Sequence, residues 1–274
     1  MSQQIDRTLD ILELLIENPE GLALGEVALQ LGLPKSATHR LVSQLVERGY
    51  MERDAASQRY RLTMRLSVLG FRFLSKTGLT DICQPELDEL AARTGELARI
   101  AMVDGDTMTW VAQAQGARYG LRYDGNLGRH VVQPATASGK ARLATMSDDR
   151  AVGIVASLGF GDRAELGQNA ISSMAELLKE LETTRKRGYG IAYEEGEPGI
   201  AAVAAAIPAS NPAEDCVGTV SVAGPITRQT RQRLDEIAPD VVNVAKRLSE
   251  LWPIRRYQPL APNPDSFHNV RKSA

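Results

Sequence analysis

The chain has 274 residues, 43% of them hydrophobic and 24% charged, with a formal net charge of −2. That length gives room for two ordinary domains, and that composition excludes collagen-like, low-complexity and broadly disordered chains. No stretch approaches the ~18 consecutive apolar residues of a membrane span. The opening MSQQIDRTLD has no basic-then-apolar signal, so a cytoplasmic protein without a membrane partner is expected. Cys83 and Cys216 stand 133 positions apart, with no CxxC and no ligand spacing around His39, His130 and His268. This argues against a disulfide framework and against a metal site.

The charge is unevenly divided: residues 1–33 carry −5 and residues 34–72 carry +5. A positive block inside an acidic chain suits neutralisation of phosphates, the sequence-independent part of nucleic-acid binding. The bland alternative is a solvated charged face.

Ile5, Leu9, Leu12, Leu15 and Ile16 recur at helical spacing and predict a first helix ending near Asn18–Pro19. A second helix is expected over 24–31, burying Val27, Ala28 and Leu31, with Gly32 placed to stop it in a left-handed conformation. A third helix is expected over 35–48. Ala28 and Gly32, four apart, fit the close crossing and turn of a helix-turn-helix. The third helix is predicted to bury Ala37, Leu41 and Leu45. Lys35, Ser36, Thr38, His39, Arg40 and Ser43 are then the candidate DNA contacts. Ser36 and His39 have the reach for base edges, and Lys35 and Arg40 suit guanine or phosphate. An N-cap role is the structural alternative for Ser36.

Two β-prone runs, 50–53 and 58–62, flank Asp54-Ala55-Ala56-Ser57 and read as a hairpin wing. Alternation puts Arg59 and Arg61 on its outer face, as further DNA contacts, and Tyr60 and Leu62 inward. Residues 1–64 therefore read as a winged helix-turn-helix domain.

A linker helix follows over 65–79, with Leu66, Leu69 and Phe73 apolar, and an amphipathic helix over 81–94. Strands are predicted at 98–103, 108–114, 120–123, 190–194, 200–207 and 216–223. Helices are predicted at 138–146, 148–158, 172–187 and 228–251. Residues 80–252 are thus an α+β domain, and 253–274, with four prolines and few apolar anchors, an irregular tail. Ala135-Thr136-Ala137-Ser138-Gly139-Lys140 offers small side chains at a helix start, suited to a carboxylate or simply capped by Thr136 or Ser138. Trp110 is expected in the core or lining a pocket, and Cys216 is expected to be inert.

Catalysis has no support in the residues. His130 has no GxSxG or Cys–His arrangement near it, and there is no Walker pattern. Gly159–Gly161 lacks a third glycine at the required spacing. Glu194 and Glu195, adjacent on a strand, would point to opposite faces and cannot flank one bond. No cofactor is called for.

LGLPKSATHRLVSQLVERGYMERD followed by RYRL resembles the DNA-binding segment of the IclR family of bacterial transcriptional regulators. PATASGKARLA, RKRGYGIAYEEGEPGIAAVAAAI and GTVSVAGPITR resemble, in the same order, three signature stretches of that family's effector domain. The resemblance covers about residues 5–250. It implies a GAF-like effector fold, a homodimer or dimer of dimers, and effector contacts at Ala137, Ser138, Glu195, Ala202 and Ser221. Ala202 stands where a family cysteine is frequent, and Ser221 with Ala223 replaces a Ser-x-Ser pair, which favours a less polar ligand than a glyoxylate-like one.

The expected function is that of a regulator, a repressor of a catabolic operon, which binds double-stranded operator DNA and answers to a small metabolite such as a carboxylate or related oxygenated compound. Two alternatives are a metabolite-processing enzyme with an autoregulatory DNA-binding module, and an architectural DNA-binding protein with a purely dimerising second domain.

Overall fold

The computed structural model describes residues 3–77, 79–209 and 215–252. The tail predicted for 253–274 lies outside the described residues. The chain divides into two compact units between Lys76 and Thr77.

The first unit contains α1 (Gln3–Ile16), α2 (Leu24–Gln30), α3 (Lys35–Glu47), the antiparallel pair β1 (Met51–Arg53) and β2 (Tyr60–Leu62), and α4 (Arg65–Thr77). Ile11, Leu15, Val27, Leu41, Val42, Leu45, Met51 and Tyr60 form its core. The Glu26 carboxylate accepts the Ala23 backbone N–H at 2.7 Å, which satisfies a donor at the start of α2. Gly32, at φ +62°, reverses the chain after α2, and Leu31 is only half-buried there.

The core face of α1 differs from the predicted stripe. Ile11 and Leu15 are buried, whereas Ile5, Leu9 and Ile16 are more than half exposed. The two sets lie roughly 120° apart around the helix. The helix therefore has two apolar faces, of which its own unit covers one.

The second unit is built on a five-stranded antiparallel sheet of order β4-β3-β7-β6-β5. Its strands are β3 (Leu97–Asp104), β4 (Thr107–Gln115), β5 (Gly190–Tyr193), β6 (Ile200–Ile207) and β7 (Gly218–Pro225). The helices are α5 (Leu79–Thr94), α6 (Ala137–Leu143), α7 (Asp148–Leu158), α8 (Met174–Arg187) and α9 (Arg231–Leu251). α5 and α9 pack on each other and on the sheet, and α6 packs across β5, β6 and β7. Ala137 and Ala141 of α6 rest on Ala202 and Ala204 of β6. Val203, between those two, points to the other sheet face. The approach is close because Gly190 has no side chain: a Cβ there would lie 2.3 Å from the Ala137 carbonyl oxygen.

The strand expected at 120–123 does not form. Those residues lie in the irregular segment between β4 and α6, where Gly120 adopts φ +78° and the Tyr123 carbonyl accepts the Gln115 side-chain amide at 2.9 Å. Such tertiary contacts override the β-propensity of Leu-Arg-Tyr.

Candidate effector cavity and nucleic-acid interface

On α3, Lys35, Ser36, His39, Arg40 and Ser43 are all exposed. Thr38 is not: it is fully buried, and its hydroxyl donates to the Pro34 carbonyl at 3.1 Å. That internal bond removes the cost of burying the hydroxyl, so Thr38 is a core residue and not a groove contact. The buried arc is Thr38, Leu41, Val42 and Leu45, while Ala37 is only half-buried. Pro34 occupies the N-cap, with no side-chain cap, so Ser36 has no capping role.

The two wing arginines have different environments. Arg61 is exposed and paired with Glu52 at 2.7 Å. Arg59 is half-buried: it donates to the Gly21 carbonyl at 2.7 Å and lies 3.3 Å from Glu26. It ties the hairpin to the turn before α2, beside the Leu22–Tyr60 bridge. Hydrogen bonds to the Asp54 carboxylate order the hairpin loop, and the backbone N–H of Ser57 does most to lower its pKa.

In the second unit, a cavity of about 180 Å³ opens between α6 and one face of the sheet. Ala202, Ser221 and Ala223 lie on the sheet side, and Ala137 and Ser138 come from α6. Four of the five expected effector residues are thereby brought together. The fifth, Glu195, is not in the cavity lining. It is buried, 2.5 Å from the ammonium of Lys140, and accepts the Tyr193 N–H at 3.2 Å. Lys140 is itself 2% exposed and also donates to the Ile191 carbonyl at 3.0 Å. Glu195 is an internal counterion, because a buried ammonium requires one. Burial raises the pKa of its carboxyl, against the opposing pull of Lys140.

Arg99 also lines the cavity and is not among the residues expected there from the sequence. It sits in β3 at 8% exposure, its guanidinium carbon 3.9 Å from the centre of the Trp110 ring and 5.2 Å from that of Tyr123. Among the described residues it forms no ion pair. Arg99 Nε, Ser138 Oγ and Ser221 Oγ are buried with no hydrogen-bond partner. Trp110 also lines the cavity while packing on Ala101, Met108 and Val131, so its pocket and core readings both hold. A register shift at Ile100/Ala101 pairs Ala112 with Ile100 but Trp110 with Ala101, which turns the indole to the cavity side. The Tyr123 hydroxyl donates to Glu197 at 2.8 Å. The signal for Arg99 is present in the sequence: a lone charge inside the apolar run of a central strand.

His130 Nδ1 lies 3.0 Å from the Thr109 hydroxyl, and no His/Cys/Asp/Glu group able to hold a metal ion occurs among the described residues. Cys216 is buried and its thiol is pushed up to about 11, chiefly by burial, although Arg142 acts in the opposite sense. No described helix is long and apolar enough to cross a membrane.

A helix-turn-helix unit joined to an α+β unit with a cavity against its sheet defines a class of helix-turn-helix transcriptional regulators. Residues 4–55 match the IclR helix-turn-helix domain and residues 71–250 match the C-terminal domain of bacterial IclR transcriptional regulators, so the chain belongs to the IclR family. It is 28% identical over 248 residues to the transcriptional repressor IclR of Escherichia coli, covering 90% of this chain and 89% of that one. The fold is shared with an IclR transcriptional regulator from Alicyclobacillus acidocaldarius, at a TM-score of 0.79, 22% identity, and coverage of 92% and 99% of the two chains. It is also shared with an IclR homologue from Microbacterium hydrocarbonoxydans complexed with 4-hydroxybenzoate, at a TM-score of 0.72, 17% identity, and coverage of 90% and 100%.

Proposed function

We infer that this protein is a repressor whose grip on operator DNA is altered by a small metabolite bound between α6 and the sheet. The observation that carries this reading is the set of buried polar atoms without partners at the cavity: Arg99 Nε, Ser138 Oγ and Ser221 Oγ. Buried polar groups are normally satisfied, so orphans gathered around a cavity mark where a polar ligand completes the bonding. The repressor of Escherichia coli and the 4-hydroxybenzoate complex of the Microbacterium homologue support the two halves of the reading.

DNA binding is assigned to Lys35, Ser36, His39, Arg40 and Ser43 on α3, with Arg61 on the wing. Specific reading of an operator by one short helix requires two copies at helical-turn spacing. The exposed Ile5, Leu9 and Ile16 of α1, with Val68, Leu69 and Phe71 of α4, are the apolar surface on which we place dimerisation.

Thermal unfolding against a panel of small organic acids tests the cavity. A stabilising acid should also change the anisotropy of labelled DNA carrying the operator, and should be recovered unchanged. Turnover of that acid would instead favour the enzyme alternative. Acids without effect on melting or on DNA binding would leave a purely architectural role.

A further inference from the structure

We propose that the cavity takes a singly charged carboxylate on a planar body, and that Arg99 is the residue that holds the carboxylate. The proposal rests on the assignment of that cavity as the effector site. Arg99 of β3 and Ser221 of β7 are direct partners across the antiparallel pair, so a guanidinium and a hydroxyl stand side by side on one sheet face. Both are more than nine-tenths buried, and both have a polar atom with no partner. Ser138 adds a third orphan hydroxyl from α6.

A cation this deeply buried ordinarily has an anionic or carbonyl partner. The other two deeply buried cations among the described residues of this unit follow that rule. Lys140 has Glu195 and the Ile191 carbonyl, and Arg142 donates to the carbonyls of Gly105, Asp106 and Thr107. Arg99 has the rings of Trp110 and Tyr123, with the Tyr123 phenol in hydrogen-bonding reach, and no charged partner among the described residues. The Trp110 face at 3.9 Å offsets part of its desolvation and fixes the plane of the guanidinium fork before any ligand arrives. Gly125 leaves space for that fork, since a Cβ there would lie 2.7 Å from Arg99 Nη1. A pre-oriented fork is suited to bidentate bonding of a carboxylate.

The rest of the lining sets the ligand's charge and shape. Asp124, Glu165 and Glu197 also border the cavity, and each is already engaged, by Arg122, Arg129 and Tyr123 respectively. A second negative charge on the ligand would meet these carboxylates, and Arg129, the other arginine of the lining, is already paired with Glu165, so dianions are disfavoured. Ala202 and Ala223 face each other across β6 and β7 and give a flat apolar floor. The volume, about 180 Å³, is comparable to the ~150 Å³ of a cavity that admits benzene.

Calorimetric titration of the full-length protein with benzoate, benzamide and phthalate tests this. Benzoate should bind about tenfold or more tightly than neutral benzamide, the effect of a charge-assisted pair, and phthalate more weakly than benzoate. Arg99→Gln should erase the preference for benzoate over benzamide, and Arg99→Lys, which keeps the charge, should retain part of it. Equal binding of benzoate and benzamide, a preference that survives in Arg99→Gln with Arg99→Lys unchanged, or tighter binding of phthalate overturns the proposal. Failure of all three probes to bind at millimolar concentration overturns it too. These outcomes leave the effector-site assignment standing. That assignment fails separately if Ser138→Trp, which fills the cavity, leaves the binding of a probe intact.

Discussion

The Lys140 ammonium and the Glu195 carboxylate lie 2.5 Å apart, both buried, directly behind the start of α6. The pair links α6 to the end of β5, and Glu180 of α8 stands 3.7 Å from the same ammonium. It holds in place the helix that carries Ser138, and so acts on the cavity from outside its lining.

Removing one partner of this pair leaves the other buried without its counterion. Lys140→Met should cost about 3–5 kcal/mol in urea unfolding at pH 7, and Lys140→Met/Glu195→Gln should recover part of that loss. The pH dependence has a definite sign. Burial raises the Glu195 carboxyl above its usual 4.5, so the folded state holds this proton more tightly than the unfolded state. Its contribution to stability therefore falls as pH rises from about 4.5 through the raised value. Lys140→Met removes the opposing pull and should steepen that fall, so its deficit shrinks at pH 5. A deficit independent of pH would contradict the pairing.

Reading and docking should separate by mutation. His39→Ala or Ser36→Ala should cost roughly 1–3 kcal/mol on the operator and little on random DNA. Arg61→Ala should weaken both alike and lower the salt slope by about 0.9 for each phosphate it no longer neutralises. Arg59→Ala should, in addition, destabilise the unit, because that side chain holds the Gly21 carbonyl and Glu26. Anisotropy across a salt series checks all four. Loss of specificity in Arg61→Ala, with only salt dependence altered in His39→Ala, would reverse the assignment.

In sedimentation at micromolar concentration the protein should run as a dimer or a dimer of dimers. Leu9→Glu/Leu69→Glu, changing two exposed positions, should shift it toward monomer and abolish specific DNA binding. A monomer that still binds the operator specifically would contradict the assignment of those faces.

Both thiols should be inert in the native protein. Cys83 is pushed up to about 12 and Cys216 to about 11, in each case chiefly by burial. At pH 8 the thiolate fraction is then about a thousandth or less. Ellman's reagent should find no reactive thiol until the chain is unfolded, and two afterwards; rapid native labelling would contradict the burial.

Most elements are legible in the sequence because their periodicity and turn residues agree. The 148–158 helix and the 200–207 strand have the predicted bounds, and the end of α2 is set by a glycine at φ +62°. The departures have local causes. Thr38 reads as a groove residue only when polarity is equated with exposure, while its hydroxyl is satisfied by Pro34 within the helix. The family resemblance puts Glu195 among the effector contacts, and no spacing reveals that a lysine 55 positions earlier, Lys140, claims it. Residues 120–123 have β-prone side chains, but the outer edge of β4 pairs instead with residues 128–131, where Gly128 and Val131 donate to the Trp110 and Met108 carbonyls, and Tyr123 serves the cavity.

Filling the cavity should uncouple ligand from DNA. A ligand shifts operator affinity only by the difference in its affinity for the two DNA-binding states, typically worth about 1–3 kcal/mol. The direct measurement is operator anisotropy of Ser138→Trp, with and without an acid that alters wild-type binding. The variant should bind DNA within about fivefold of wild type, a difference of roughly 1 kcal/mol, and should show no response to the acid. A normal response in Ser138→Trp would place the effector elsewhere.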